Sequence, residues 1–309
     1  MQEFFNIVFS VGFGYSILRV TTPILFAALG ALISDKAGVI NIALEGIMLI
    51  SALIGVIVSA GTGSVWIGLL AAVIIGGIIG IVMAYFSLNL KSDIILTGIA
   101  INLMAAGGTI FLLYIVAQDK GISTSLKSGV LPKIVIPIIN KIPVIGPILS
   151  GHNVLTYIGL IAVGLVSYFL YKTPLGLRIR SVGENENAAA SVGVNVIKIK
   201  YIALAISGML AGFGGAYMSM GYVSWFSKNM TAGRGFIALA AEAMGGATPI
   251  GTFLTSLLFG CADALSNSLQ SMKIPTELVQ MIPYIATIIG LVVYARKKSK
   301  KVKKLKKEN

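Results

Sequence analysis

One cysteine and one histidine in 309 residues leave this chain little chemistry to perform. Cys261 has no partner in the chain, so no internal disulfide forms and the thiol says nothing of redox compartment. His152 has no companion ligands at metal-binding spacing, and no metal site is expected. No GxxxxGK[ST] occurs, so the chain does not hydrolyse ATP itself; CxxC, HExxH and GxSxG are missing as well. An enzyme is not expected, nor a cofactor of its own.

Charge is scarce too. Charged residues make up 11% of the chain, against about 25% in soluble domains. Hydrophobic residues make up 56% and mean hydropathy is +0.92, the composition of a polytopic membrane protein. No extramembrane interval is long enough for a sizeable soluble domain. The core must form helix against helix, and the 36 glycines suit that, because small residues let helices in lipid approach closely. The net charge of +13 is concentrated: residues 296–307 carry nine Lys or Arg and Glu308 follows, so this tail alone supplies +8. Next to a final apolar run, such a tail faces anionic lipid headgroups rather than nucleic acid. The first residues, MQEFFN, lack the basic region of a cleavable signal peptide. The chain thus divides into a membrane domain, 1–295, and a basic tail, 296–309.

Apolar runs near the ~20 residues that a span needs occur at 15–33, 40–60, 65–88, 94–116, 154–171, 202–222, 250–269 and 278–294, with a short one at 236–244. The expected fold is therefore all-α, with about nine transmembrane helices (8–10). Lys and Arg mark the cytoplasmic side. Nine crossings place the basic tail and the polar interval 172–200 together inside, and the interval 118–153 and the N-terminus outside. A re-entrant 236–244 would split the two basic regions, so crossing is expected there. Arg19 interrupts the first run, and residues 4–18 could instead lie along the interface, with the first crossing starting at Thr21–Pro23.

The interval 172–200, KTPLGLRIRSVGENENAAASVGVNVIKIK, is the polar stretch on which this organisation turns. Within it ENENAAASV reads as one short helix, with Glu184 and Glu186 in the first turn, three alanines offering a smooth surface, and Gly193 placed to end it. Composition leaves open whether this is a docking surface or a solvated loop. Polar residues also recur at depth. Asn41 and Glu45 are four apart and would share a helix face. Asn102 lies mid-span, Glu242 in the short element, and Asp263, Asn267 and Gln270 follow a helical stripe. These could line a hydrated pathway or stitch helices together. Gly208 and Gly212 have the spacing of a close-packing face, and GGATPIG, 245–251, is an interrupted turn of the kind tolerated beside a cavity. Pro132, Pro137, Pro143 and Pro147 prevent a continuous helix across 118–153.

Four stretches, AALGALISDKAGVINIALEGIMLISA, TPLGLRIRSVGENENAAASVGVNV, ISGMLAGFGGAYMSMGY and GRGFIALAAEAMGGATPIGTFLTSLLFGCADAL, occur in this order and together resemble the permease subunits of ATP-binding-cassette (ABC) importers of the ribose/branched-chain amino-acid type, most closely their nucleoside branch. The resemblance implies a type II importer-like fold in the plasma membrane. It implies a cytoplasmic coupling helix on Gly183, Glu184, Asn185, Ala188, Ala189, Gly193 and Val194 that docks on an ABC ATPase, which binds the ATP. It also implies a second permease subunit and an extracytoplasmic substrate-binding protein. Asn41, Glu45, Asn102, Glu242, Asn267 and Gln270 are then the candidate pathway residues. A simple-sugar permease would use the same groups. A secondary transporter driven by protons through Glu45, Glu242 and Asp263, or a scaffold acting through its tail, leaves the 172–200 stretch unexplained.

Overall fold

In lipid every backbone polar group must be satisfied within the protein, so long apolar runs become helices. The computed structural model describes residues 10–137, 145–270, 281, 283, 285–290 and 292. In chain order these form α1 (Val11–Asp35), α2 (Leu44–Thr62), α3 (Val65–Ala84, continued by a π-helical turn, Tyr85–Asn89), α4 (Ile94–Ala117), β1 (Lys133–Ile134), α5 (Ile145–Leu149), β2 (His152–Asn153), α6 (Val154–Lys172), α7 (Pro174–Glu184), α8 (Glu186–Ser191), α9 (Val196–Met220), α10 (Arg234–Met244) and α11 (Pro249–Leu269). Among the described residues seven helices, α1–α4, α6, α9 and α11, are long and apolar enough to cross a membrane.

Two expectations change, and a third falls largely outside the described residues. The first helix runs unbroken from Val11 through Arg19 and Pro23 to Asp35, so among the described residues no break separates an interfacial segment from a crossing at Thr21. Arg19 is accommodated by stacking over the Tyr222 ring, 5.4 Å from its centroid. The element expected to cross at 236–244 is an 11-residue helix, about 16 Å long at 1.5 Å per residue, roughly half of a hydrocarbon core. The run expected at 278–294 lies largely outside the described residues, as do the tail and residues 1–9.

Helix α1 is the axis of the bundle, buried along most of its length against α9, α11, α10 and α6, whereas α4 lies on the periphery. The tightest contact is between α3 and α9, where backbones meet. A Cβ on Gly76 would collide with the Gly208 carbonyl and sit 3.1 Å from the Gly212 Cα, and one on Gly212 would sit 2.7 Å from the Ala72 carbonyl. The Gly208/Gly212 face foreseen in the sequence is thus a helix–helix seam.

The two ends of the bundle differ in kind. At one end, residues 118–137 and 145–153 fold over the helices, pinned by the β1–β2 pairing and by Asn153, whose Nδ2 donates to the carbonyls of Leu131 and Gly221 (2.8 Å each). They are also tied to the 221–233 loop by Ser123 N–H to Phe226 O (2.9 Å) and Phe226 N–H to Ser123 Oγ (2.8 Å). We call this the proline-rich end. At the other, polar end lie α7 and α8. Here the helix expected over ENENAAASV is divided: Glu184 closes α7, and Asn185 caps α8 by accepting the Ala188 N–H at 3.0 Å. Gly193, at φ +84°, follows α8 as foreseen.

Between α1 and α2 the chain turns back into the bundle without helical structure. Gly38 has φ +74°, and Gly183 of α7 presses on this turn: a Cβ on Gly183 would collide with the Lys36 carbonyl and come within 3.0 Å of the Gly38 nitrogen. Asn41, fully buried, donates from Nδ2 to Ser207 Oγ (2.9 Å) and accepts the Ala43 N–H at Oδ1 (3.1 Å). Ser207 is in the middle of α9, so α2 begins well inside the bundle. Asn41 therefore precedes α2 and does not share a helix face with Glu45, as its spacing suggested.

The seam gives a direct test. Gly208→Val should lower the thermal stability of the detergent-purified protein by an overpacking cost of about 1–3 kcal/mol or prevent its accumulation. Gly164→Ala, where an added Cβ meets nothing within 4 Å, should be silent in the same melting assay.

Candidate solute pathway and docking helix

Helix α10 begins inside the bundle, and its first turn is reached through an unusual loop. Asn229 and Ala232 have φ of +55° and +45°, followed by Gly233 at +76°. The left-handed region costs Ala more than Asn or Gly, and such strain persists only where surrounding contacts fix it. The fixing group is Glu45. Its Oε1 accepts the Gly233 N–H at 2.8 Å and its Oε2 accepts the Gly235 N–H at 2.7 Å. One carboxylate thus satisfies two orphan donors at a helix N-terminus and complements the helix dipole. A Cβ on Gly235 would come within 2.6 Å of the Glu45 Cα, so the glycine is what lets the two helices meet this closely.

Arg234, between those two glycines, donates from Nε (3.0 Å) and Nη2 (2.8 Å) to Asp263 Oδ2 on α11, and its Nη1 faces the Met230 and Thr231 carbonyls at 3.4 Å. The side chains of the pair are only 14% and 11% exposed. They form the floor of a cavity of about 320 Å³ that is also lined by Asn229, Ser266, Asn267 and Gln270. The cavity lies toward the proline-rich end, near the C-terminal end of α11.

Of the six pathway candidates from the sequence, only Asn267 and Gln270 line this cavity. Asn102 instead bridges α4 to the start of α2, accepting the Gly46 N–H (2.8 Å) and donating to the Ile42 carbonyl (2.9 Å). Asn41 is spent on Ser207 and Glu45 on the α10 terminus, so Asn41 and Asn102 serve the late start of α2 and Glu45 that of α10. Glu242 is buried near the opposite end of α10, beside Asp35 and Lys36. The GGATPIG turn is likewise at that end, a tight α10–α11 link in which Thr248 Oγ1 accepts the Gly251 N–H at 3.2 Å, and it does not line the cavity. Arg234 and Asn229 were missed. The available signal was a cation framed by two glycines at the start of a run too short to span.

At the polar end α8 exposes every residue but Ala189. Glu184, Asn185, Ala188 and Gly193 are exposed and Val194 is half-buried, but Ala189, only 4% exposed, packs inward, and its carbonyl accepts the Val194 N–H at 3.1 Å. Lys200, buried at the base of α9, forms an ion pair with Glu186 and holds the helix down.

The Glu45 clamp needs two acceptors, and an amide has one. Glu45→Gln should therefore keep one bond, set its NH2 against the other N–H, and cost about 1–3 kcal/mol. Glu45→Leu, leaving both donors unpaired, should fail to accumulate. Thermal unfolding of the purified protein checks both, and a Gln variant as stable as the parent would remove the clamp from the account.

Residues 15–291 match the family described as the branched-chain amino acid transport system, permease component. The nucleoside ABC transporter permease protein NupC of Lactococcus lactis is 36% identical over 293 residues, covering 91% of this chain and 92% of that protein. The guanosine ABC transporter permease protein NupQ of Bacillus subtilis is 38% identical, covering 87% of each. In fold, the chain is similar to a chain of PsaBC from Streptococcus pneumoniae in complex with Fab, with a TM-score of 0.54 at 15% identity and 94% of each chain covered. The chain belongs to this family of ABC-transporter permeases and is a membrane-spanning permease subunit of an ABC importer.

Proposed function

We propose that this permease carries nucleosides, taken from an extracytoplasmic binding protein, through a pathway that includes the cavity floored by Arg234 and Asp263. The proline-rich end faces outward and the polar end faces the cytoplasm, with the C-terminal tail inside against anionic headgroups. Helix α8 is the coupling helix: it docks on the ABC ATPase, and a second permease subunit completes the membrane unit. The observation that carries this reading is the division of labour between the two ends, with an amide-lined cavity at one and a short, capped, protruding helix at the other. A nucleoside offers hydroxyls and base-edge donors and acceptors, and Asn229, Asn267 and Gln270 present groups of matching type. The substrates named for the two relatives above support the same class.

A proton-driven carrier is disfavoured by the carboxylates themselves. Glu45 is committed to backbone N–H groups, Asp263 to Arg234, and Glu242 lies away from the cavity. ATP-driven uptake of guanosine in vesicles carrying the assembled complex should survive an uncoupler, and collapse with the uncoupler at constant ATP would favour the carrier.

The burial pattern selects the residue for testing the dock. Ala188→Trp places a bulky group on the exposed face and should reduce recovery of the ATPase in pull-down together with uptake, while the permease still reaches the membrane. Ala189→Trp should instead disturb the protein's own packing and lower its stability. Equal ATPase recovery by Ala188→Trp and the parent would leave α8 without a docking role.

A further inference from the structure

We propose that the Arg234–Asp263 pair sets the specificity of the cavity for solutes without net charge, admitting neutral molecules that bind through hydroxyls and heterocycle edges and rejecting phosphorylated ones. The inference rests on the cavity being part of the solute pathway, and it assigns the pair a role beyond joining α10 to α11.

Among the described cavity-lining residues, Arg234 and Asp263 are the only ionisable side chains, and they neutralise each other. All three guanidinium nitrogens are engaged, Nε and Nη2 by Asp263 and Nη1 by the Met230 and Thr231 carbonyls. A phosphate could take an Arg fork only by breaking this pair, which would leave a carboxylate buried without its counter-ion. Among the described residues, the further charge that acts on Arg234 is Glu45, another anion. The amides of Asn229, Asn267 and Gln270 are in the reverse condition. They line the cavity and make no side-chain hydrogen bond among the described residues. A charge pair committed to itself, beside amides that are unpaired among the described residues, defines a site for neutral polar solutes.

Thiol labelling reads this without turnover. The full chain, assembled with its ATPase, would carry Asn267→Cys in a Cys261→Ser background and be treated with an anionic or a cationic methanethiosulfonate. Both reagents should label the parent, guanosine should slow labelling, and guanosine 5′-monophosphate should not. Asp263→Asn frees the Arg234 charge. The rate for the anionic reagent relative to the cationic one should then rise on the order of tenfold, the effect of one unit charge across a partly desolvated cavity. The monophosphate should also begin to protect. Equal protection of the parent by nucleoside and nucleotide, protection by neither, or an unchanged rate ratio in assembled Asp263→Asn would each overturn the proposal. If Asp263→Asn does not assemble, Arg234→Gln/Asp263→Asn removes both charges and should keep the parent rate ratio, with a changed ratio counting against the pair. An absence of ATP-driven guanosine uptake would undermine the pathway reading separately, since labelling and protection are measured at rest.

Discussion

A carboxylate that holds two backbone N–H groups inside the membrane is the contact on which the rest of this structure depends. Non-helical backbone is tolerated at that depth only if its polar groups find partners in the protein. The chain departs from helix inside the bundle before α2 and before α10, and the donors exposed there are met by side chains. Glu45, in the first turn of α2, closes the first turn of α10. Asn41 and Asn102 do the same for the approach to α2. The polar residues at depth are thus mostly a solution to a backbone problem, and they leave only a small set free to meet a solute.

How much of this the sequence disclosed follows from the range of the interactions. Hydropathy placed seven apolar helices well, because span length is a local property. Small-residue spacing located the α3–α9 seam from one side only, since Gly208 and Gly212 lie together on α9 whereas Gly76 lies far away in sequence. The roles of Glu45 and Arg234 were not legible. Their partners lie 188, 190 and 29 residues away, and no periodicity encodes such pairings. The i, i+4 rule failed for Asn41 and Glu45 because it presupposes a helix through both, and the buried Asn41–Ser207 bond holds a non-helical approach instead.

The helix at 234–244 shows how a sound local reading can miss its context. It is apolar and helical, as expected, but half the length of a crossing. Its two ends therefore belong to different environments: an N-terminus inside the bundle beside a polar cavity, and a C-terminus at the polar end near Asp35. A half-length helix of this kind brings a cation to the cavity floor with a backbone connection to the opposite end of the protein.

The meeting of Gly183 with the turn at Lys36 and Gly38 has a mechanical meaning. Side chains at a contact act as springs, because rotamers can change to absorb a displacement; a contact between two main chains has no such compliance. The turn touched by Gly183 leads in ten residues to Glu45 and so to the first turn of α10. A displacement of α7 would therefore bear directly on this turn, because neither Gly183 nor Gly38 carries a side chain that could absorb it.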